Sequence, residues 1–461
     1  MHPYLIVVIG ISTVLGLIIL LRINAFIALI AAALVVSFLA PGEINEKVSR
    51  VAFAFGENAG KIGLVIGFAA VIGEAMMLSG AADRIVHAFL RLLGAKRASL
   101  ALMSSGFILS VPVFFDTVFY LLVPLAKSLY RTTRKNYLLY VCAIAAGGAI
   151  THTMVPPTPG PLAMAANLNI SVGLMMVVGL MVAAPAALVA LLVATHMDRH
   201  IRIEKLPVFS DADNTEEMIA QRHAEIMRVP LIEALLPVLL PVLLISGDTI
   251  VGAMMSKEGP SFWTSMKPWT ELAGNPSLAL LISMVISMIT WVRLKRPKSS
   301  EFTTSVENAL LSAGLVILIT AAGGAFGSML KATNVSATIQ SSFEENSATG
   351  FVALLLACFL AAVLKVAQGS STTAMITVSA MMAAMELTKQ RLGFNPVYLA
   401  TAIGSGSLIG SWMNDSGFWI FSRMSGLTEK EALKTWTPLL LVLGCVSLAM
   451  TMLLSVALPL N

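Results

Sequence analysis

Two aspartates stand where an apolar chain has little reason to place a charge. Asp116 lies in Pro112-Val113-Phe114-Phe115-Asp116-Thr117-Val118-Phe119, and Asp415 lies in Gly410-Ser411-Trp412-Met413-Asn414-Asp415-Ser416-Gly417-Phe418-Trp419. A charge at the centre of a membrane helix costs at least ~2.5 kcal/mol on insertion scales, so carboxylates at that depth usually have a task. Proton exchange at such a group is set by its burial and by neighbouring charge, so either aspartate can carry a proton. Each also fits as the N-cap of the apolar arm that follows it. His152 reads either as a proton relay or as a hydrogen-bonded core histidine. Lys365 either attracts a carboxylate, pairs with Asp116, or snorkels to the interface. Glu74 reads as a structural or interfacial carboxylate.

Hydroxyls, amides and glycines gather at the same kind of place. The stretch Thr151-His152-Thr153-Met154-Val155-Pro156-Pro157-Thr158-Pro159-Gly160-Pro161 holds four prolines in its last six residues, and no α-helix continues through that. Gln368-Gly369-Ser370-Ser371-Thr372-Thr373 interrupts a second apolar run, Phe115-Asp116-Thr117 a third and Asn414–Gly417 a fourth. Helix breaks expose backbone N–H groups and positive dipole ends. Inside a membrane they are tolerated only against protein or a water-filled cavity. Four such breaks suit an anionic, hydroxylated solute, with N–H dipoles taking its carboxylate and side-chain hydroxyls and amides its hydroxyls. The alternative is that these residues only cap one another's helix ends.

The elements that must position them are membrane helices. Of 461 residues, 57% are hydrophobic and 12% charged, about half the charge a soluble surface needs, so most of the surface faces lipid. A span takes ~20 apolar residues, and the length allows ten or more. The 33 Gly and 20 Pro permit close helix contacts and deliberate breaks. The net charge of +5 sits in short loops, as topology requires, so no nucleic-acid partner is implied. Cys142, Cys358 and Cys445 lie singly in apolar runs, so neither a metal nor a disulfide is expected, and no cofactor. Met1–Leu21 lacks a basic lead and a cleavage site, and reads as a first span rather than a cleaved signal.

Spans are expected at Tyr4–Leu21, Asn24–Ala40, Lys61–Gly80, Ser171–Thr195, Val229–Gly247, Asn275–Val292, within Glu301–Leu330, and at Leu433–Leu458, with Pro41–Gly60 at the interface. Ala98–Leu129 has two short apolar arms with cations at both ends, which predicts a re-entrant hairpin from the cytoplasm with Asp116 near its tip. Residues 350–386 form a second hairpin, and 136–168 and 396–421 are broken helices. Weak internal similarity lays Gly73–Ile85 over Gly327–Ile339 and Asp116-Thr117 over Ser370-Ser371 at an offset of 254, and Tyr140 and Gly148 over Tyr398 and Gly406 at 258. Placing Arg22, Arg131–Lys135, Arg199–Arg228, Arg293–Lys298 and Arg423–Lys434 in the cytoplasm gives five spans plus one hairpin per half. An odd number inverts the second half. The expected fold is therefore an all-α polytopic protein of the cell's inner membrane, with two inverted repeats at 1–196 and 229–461 joined by a cytoplasmic linker at 197–228. Its broken helices meet at the midplane, the recurring plan of secondary transporters.

The Asp116 stretch, Thr151–Pro161 and Gly410–Trp419 resemble the gluconate permease family of proton symporters, and the resemblance covers essentially the whole chain. It implies uptake of gluconate, a related sugar acid, or another small hydroxy acid such as glycerate or D-serine. It also implies a place in the larger ion-transporter superfamily: a scaffold, a moving domain with both hairpins, elevator-like motion and a homodimer. It carries over Asp116, His152 and Asp415 as proton-coupling candidates, and Thr117, Thr158, Gly160, Asn414 and Ser416 as binding candidates. Gln368, Gly369, Ser370, Ser371 and Thr372 join them by their place in the second hairpin.

Three rivals remain at this level. Tip carbonyls and hydroxyls suit Na⁺ as well as they suit proton coupling, which a Na⁺ gradient would reveal. Asp116 and Asp415 can be imagined as an aspartyl dyad, but HExxH and GxSxG are absent and neither aspartate sits in a protease motif, so no enzyme is expected. A channel fits breaks gated from both sides less well than alternating access does.

Overall fold

A computed structural model describes residues 3–94, 97–201, 203, 227–254, 262–333, 349–413 and 415–460. All regular elements among the described residues are helical. The first part of the chain forms α1 (Pro3–Leu15), α2 (Ala25–Leu39), α3 (Glu46–Ser79), α4 (Ala81–Leu93), α5 (Ala98–Leu109), α6 (Phe115–Thr133), α7 (Tyr137–Met154), α8 (Pro159–Asn167) and α9 (Val172–His200). The second forms α10 (Leu231–Met254), α11 (Phe262–Ala273), α12 (Pro276–Lys295), α13 (Ser299–Lys331), α14 (Thr349–Gln368), α15 (Ser371–Ala384), α16 (Lys389–Leu392), α17 (Val397–Gly406), α18 (Ser416–Ser425) and α19 (Glu429–Ala457). Eight helical stretches among the described residues are long and apolar enough to cross a bilayer, so the chain is a multi-pass membrane protein.

Boundaries follow local chemistry. Asn24 and Ser171 cap α2 and α9 by accepting from Phe26 N at 2.9 Å and Leu174 N at 3.1 Å. Thr428 and Glu431 form a reciprocal capping box at the start of α19. Three expectations shift. The first span is not one uniform helix, because α1 gives way to a π-helical turn at Gly16–Leu20. The polar segment expected at the interface is instead largely the start of α3, whose 34 residues reach ~51 Å. Its polar surface is held in helix by pairs such as Lys61–Glu57, 2.9 Å apart one turn on. The two segments expected as hairpins also differ: α5 has 12 residues, too few to cross, whereas the 20 of α14 reach ~30 Å and suffice by length alone.

Packing echoes itself between the halves. α5 packs on α7 and α14 on α17; α7 packs on α9 and α17 on α19. In each first pair the backbones all but touch. A Cβ on Gly147 would lie 2.1 Å from Met103 O, and one on Gly406 would lie 2.0 Å from Cys358 O, so only glycine fits. The halves also exchange partners, α8 against α15 and α18 against α6. Asn167 of α8 donates to Ser379 Oγ of α15 at 2.9 Å. Phe115 and Phe119 of α6 meet Trp436 of α19 and Phe421 of α18 at ring separations of 5.5 and 5.6 Å. Such pairs add about 0.5–1.5 kcal/mol each beyond area burial. A separate apolar core joins α1, α2, α3 and α13 with Ala380, Met381 and Ala384 of α15.

Candidate functional site

Three helices begin at one cavity of about 290 Å³: α6 at Phe114–Asp116, α15 at Ser370–Thr373 and α18 at Asp415–Gly417. The last turns of α7 add Ala149, His152 and Thr153. Each N-terminus carries first-turn N–H groups without intrahelical partners and roughly half a positive charge, so three together make an anion-attracting centre. The volume lies at the low end for small-molecule pockets. It suits a small acid, not a peptide or a nucleotide.

Asp415 is tied into the wall. Its Oδ2 accepts from Lys365 Nζ at 2.7 Å and from Ser411 Oγ, and its Oδ1 accepts from Gly417 N at 2.9 Å. Lys365 is 1% exposed and also donates to Gly369 O at 2.6 Å. Gly369 makes the second tip possible, since its φ of +82° falls where a side chain is strained. Ser411 accepts in turn from Trp436 Nε1 at 2.7 Å, and its carbonyl from Thr437 Oγ1 at 2.7 Å. One ion pair therefore clamps the turn between α14 and α15 to the break before α18, with α19 locking the far side. Lys365 thus pairs with Asp415, not with Asp116 and not with the interface. Lysine reaches about as far as the tip of its own helix, and Gly369 turns the chain there.

Asp116 is the contrasting carboxylate. It lines the cavity from the first turn of α6 and has no hydrogen-bond or ion-pair partner among the described residues. Phe114, not Asp116, occupies the N-cap position of α6. His152 also lines the cavity, its ring 5.9 Å from that of Phe114, and its buried Nδ1 has no partner among the described residues. Two polar groups left open on one cavity are poised for a ligand or a proton.

The chain has relatives among known proteins. A model of the GntP family of permeases matches residues 2–457. The chain belongs to this family. The inner membrane permease YgbN of Escherichia coli K12 is 31% identical over 94% of the chain and 94% of its own length. The high-affinity gluconate transporter of the same organism is 29% identical over 98% and 99%. In fold, the chain is similar to the YdaH transporter of Alcanivorax borkumensis, with TM-score 0.62, 12% identity and full coverage of both chains. It is thus a permease and not an enzyme.

Of the candidate residues in this GntP permease, Asp116, His152, Ser370, Ser371, Thr372, Asp415 and Ser416 line the cavity. Ser370 accepts from Thr373 N at 3.2 Å as the cap of α15, and Ser371 Oγ donates to Ser407 O at 2.8 Å. Gly369 lies just behind them, and Gln368 is the last residue of α14. Asn414 lies outside the described residues. Thr117, Thr158 and Gly160 are not among the lining residues. Thr158 Oγ1 donates to Val155 O at 2.7 Å inside its own turn, and Gly160 lets α8 approach Met375 of α15. Lys365, Ser411 and Trp436 complete the site, as do Leu315, Val316 and Ile319 of α13. The last three carry no chemical signal in sequence, since an apolar residue within a span looks the same on a cavity wall as against lipid. Among the described residues no group of three or more His, Cys, Asp or Glu is placed to hold a metal ion.

Proposed function

We propose that this permease imports gluconate or a closely related small sugar acid across the inner membrane by proton symport. The observation that carries the proposal is the convergence of three helix N-termini on a cavity that also holds a carboxylate, Asp116, with no partner among the described residues. The N-termini attract the solute carboxylate, and the hydroxyls of Ser370, Thr372 and Ser416 offer partners to its polyol chain. Asp116 opposes the same anion when ionised, because like charges a few ångströms apart repel strongly in such a setting. A proton on Asp116 removes the repulsion, so solute and proton each strengthen the other's binding. His152, open at Nδ1, is the group beside it that can pass the proton on. Asp415 keeps its partners throughout and serves as structure for the second tip.

In this reading the halves 1–196 and 229–461 are inverted repeats around the linker 197–228, and the hairpins are re-entrant. The motion is elevator-like. Polar liners come from the hairpins and broken helices, while α13 offers only Leu315, Val316 and Ile319. A polar site that slides along an apolar wall breaks no hydrogen bond with it. The core of α1, α2 and α3 backs α13, and Ala380, Met381 and Ala384 of α15 pack on it through small and flexible apolar side chains.

The test is uptake of labelled gluconate into proteoliposomes under an inward proton gradient, an inward Na⁺ gradient, and neither. Accumulation above equilibrium only with the proton gradient is expected. Accumulation with the Na⁺ gradient alone would replace the coupling ion, and uptake that stops at equilibrium under every gradient would overturn symport.

A further inference from the structure

The helix that the transport reading leaves unused is α4. Its 13 residues reach ~20 Å, too short to cross, and its buried residues Ala81, Ala82, Ile85 and Val86 fall on one side. That side packs on α5 and on α10. Between α4 and the first turns of α10 runs a groove of about 540 Å³. Its walls are apolar, with Ala88, Phe89 and Leu92 facing Leu231 and Leu235, and Arg84 and Arg91 lie along it. Arg84 spends its Nε on Val229 O at 3.0 Å, and Arg91 has no partner among the described residues.

The level of the groove follows from α10. Leu231 starts a span, so its first turns lie at a membrane surface. Arg84, Arg91, Arg97 and Arg228 mark that surface as cytoplasmic. An apolar groove edged by cations at an interface matches an amphiphile with an anionic head. A soluble anion would leave the walls wet, and a neutral lipid would leave the guanidinium of Arg91 unmatched. We propose that the groove between α4 and α10 binds an anionic glycerophospholipid of the cytoplasmic leaflet. Its acyl chain lies along Phe89, Leu92, Leu231 and Leu235, and its phosphate meets Arg84 and Arg91. Because α4 packs on α5, the lipid braces the cytoplasmic end of the first hairpin.

Native mass spectrometry of the full chain, released from nanodiscs of mixed phosphatidylglycerol and phosphatidylcholine, reads this directly. The native protein should retain phosphatidylglycerol preferentially. R91Q, which removes a side chain with no partner among the described residues, should weaken that retention roughly fivefold, the size expected for one basic side chain near an anionic surface. Phosphatidylcholine retention should stay unchanged, and R91K should behave as the native protein. Equal retention of both lipids by the native protein, or undiminished phosphatidylglycerol on a folded R91Q, would overturn the site.

Discussion

At the scale of single residues, two aspartates of one cavity divide the work by their neighbours. Asp415 has a lysine, a serine and a backbone N–H; among the described residues Asp116 has none. Asp116→Asn should therefore abolish gradient-driven accumulation yet keep solute counterflow, which needs binding and translocation but no net proton. Loss of counterflow as well, from folded protein, would make Asp116 a binding group instead of a coupling one. Lys365→Met leaves Asp415 buried without its cation, and breaking such a pair costs about 3–5 kcal/mol. It should lower the thermal unfolding midpoint in detergent sharply, and adding Asp415→Asn should recover part of the loss. Equal midpoints for the single and double variants would remove the ion pair from the stability of the tip. That pairing was not legible in sequence. Lys365 and Asp415 are 50 residues apart, and nothing in composition says which carboxylate a flexible cation will reach. The aspartates themselves were legible, because a charge in an apolar run stands out.

Helices and turns were read more completely than their roles. Prolines in Thr151–Pro161 and the Gly369-Ser370 pair predict breaks for reasons internal to the backbone, and the breaks fall there. Thr158 and Gly160 show the limit. They sit in a conspicuous break, yet the break turns one toward its own backbone and the other toward α15. A break fixes where a chain turns and not which face it offers a ligand. The two glycine contacts give a sharper expectation. At Gly147 and Gly406 the atom in the way is a backbone carbonyl, which cannot swing aside as a side chain can. Gly147→Ala or Gly406→Ala should each destabilise by about 1–3 kcal/mol or prevent folding, read as the unfolding midpoint. A midpoint unchanged in either would show that the neighbouring helix yields freely.

For the whole molecule, the orientation rests on charge, and it is testable residue by residue. With Cys142, Cys358 and Cys445 replaced, a cysteine at Lys135 should react with a membrane-impermeant thiol reagent only from the cytoplasmic side. One at Thr388, beyond the second hairpin, should react only from the opposite side. Labelling of both from one side would remove the inversion and with it the symmetry of the two hairpins.

The exchange of partners between halves bears on how the protein is made. α18 completes the aromatic contact with α6, and α15 receives Asn167 of α8. Synthesis runs from the N-terminus, so Asp116 and His152 enter the bilayer long before Ser370 or Asp415 exists. During that interval the first half carries an open polar seam and the two unmatched aromatic faces of Phe115 and Phe119, with no lid of its own. Assembly must wait for the last helices, and a ribosome stalled after the linker would leave a half-built seam for the cell's membrane proteases to find. The same dependence means that the two halves, expressed as separate chains, must find each other before either can hold a solute.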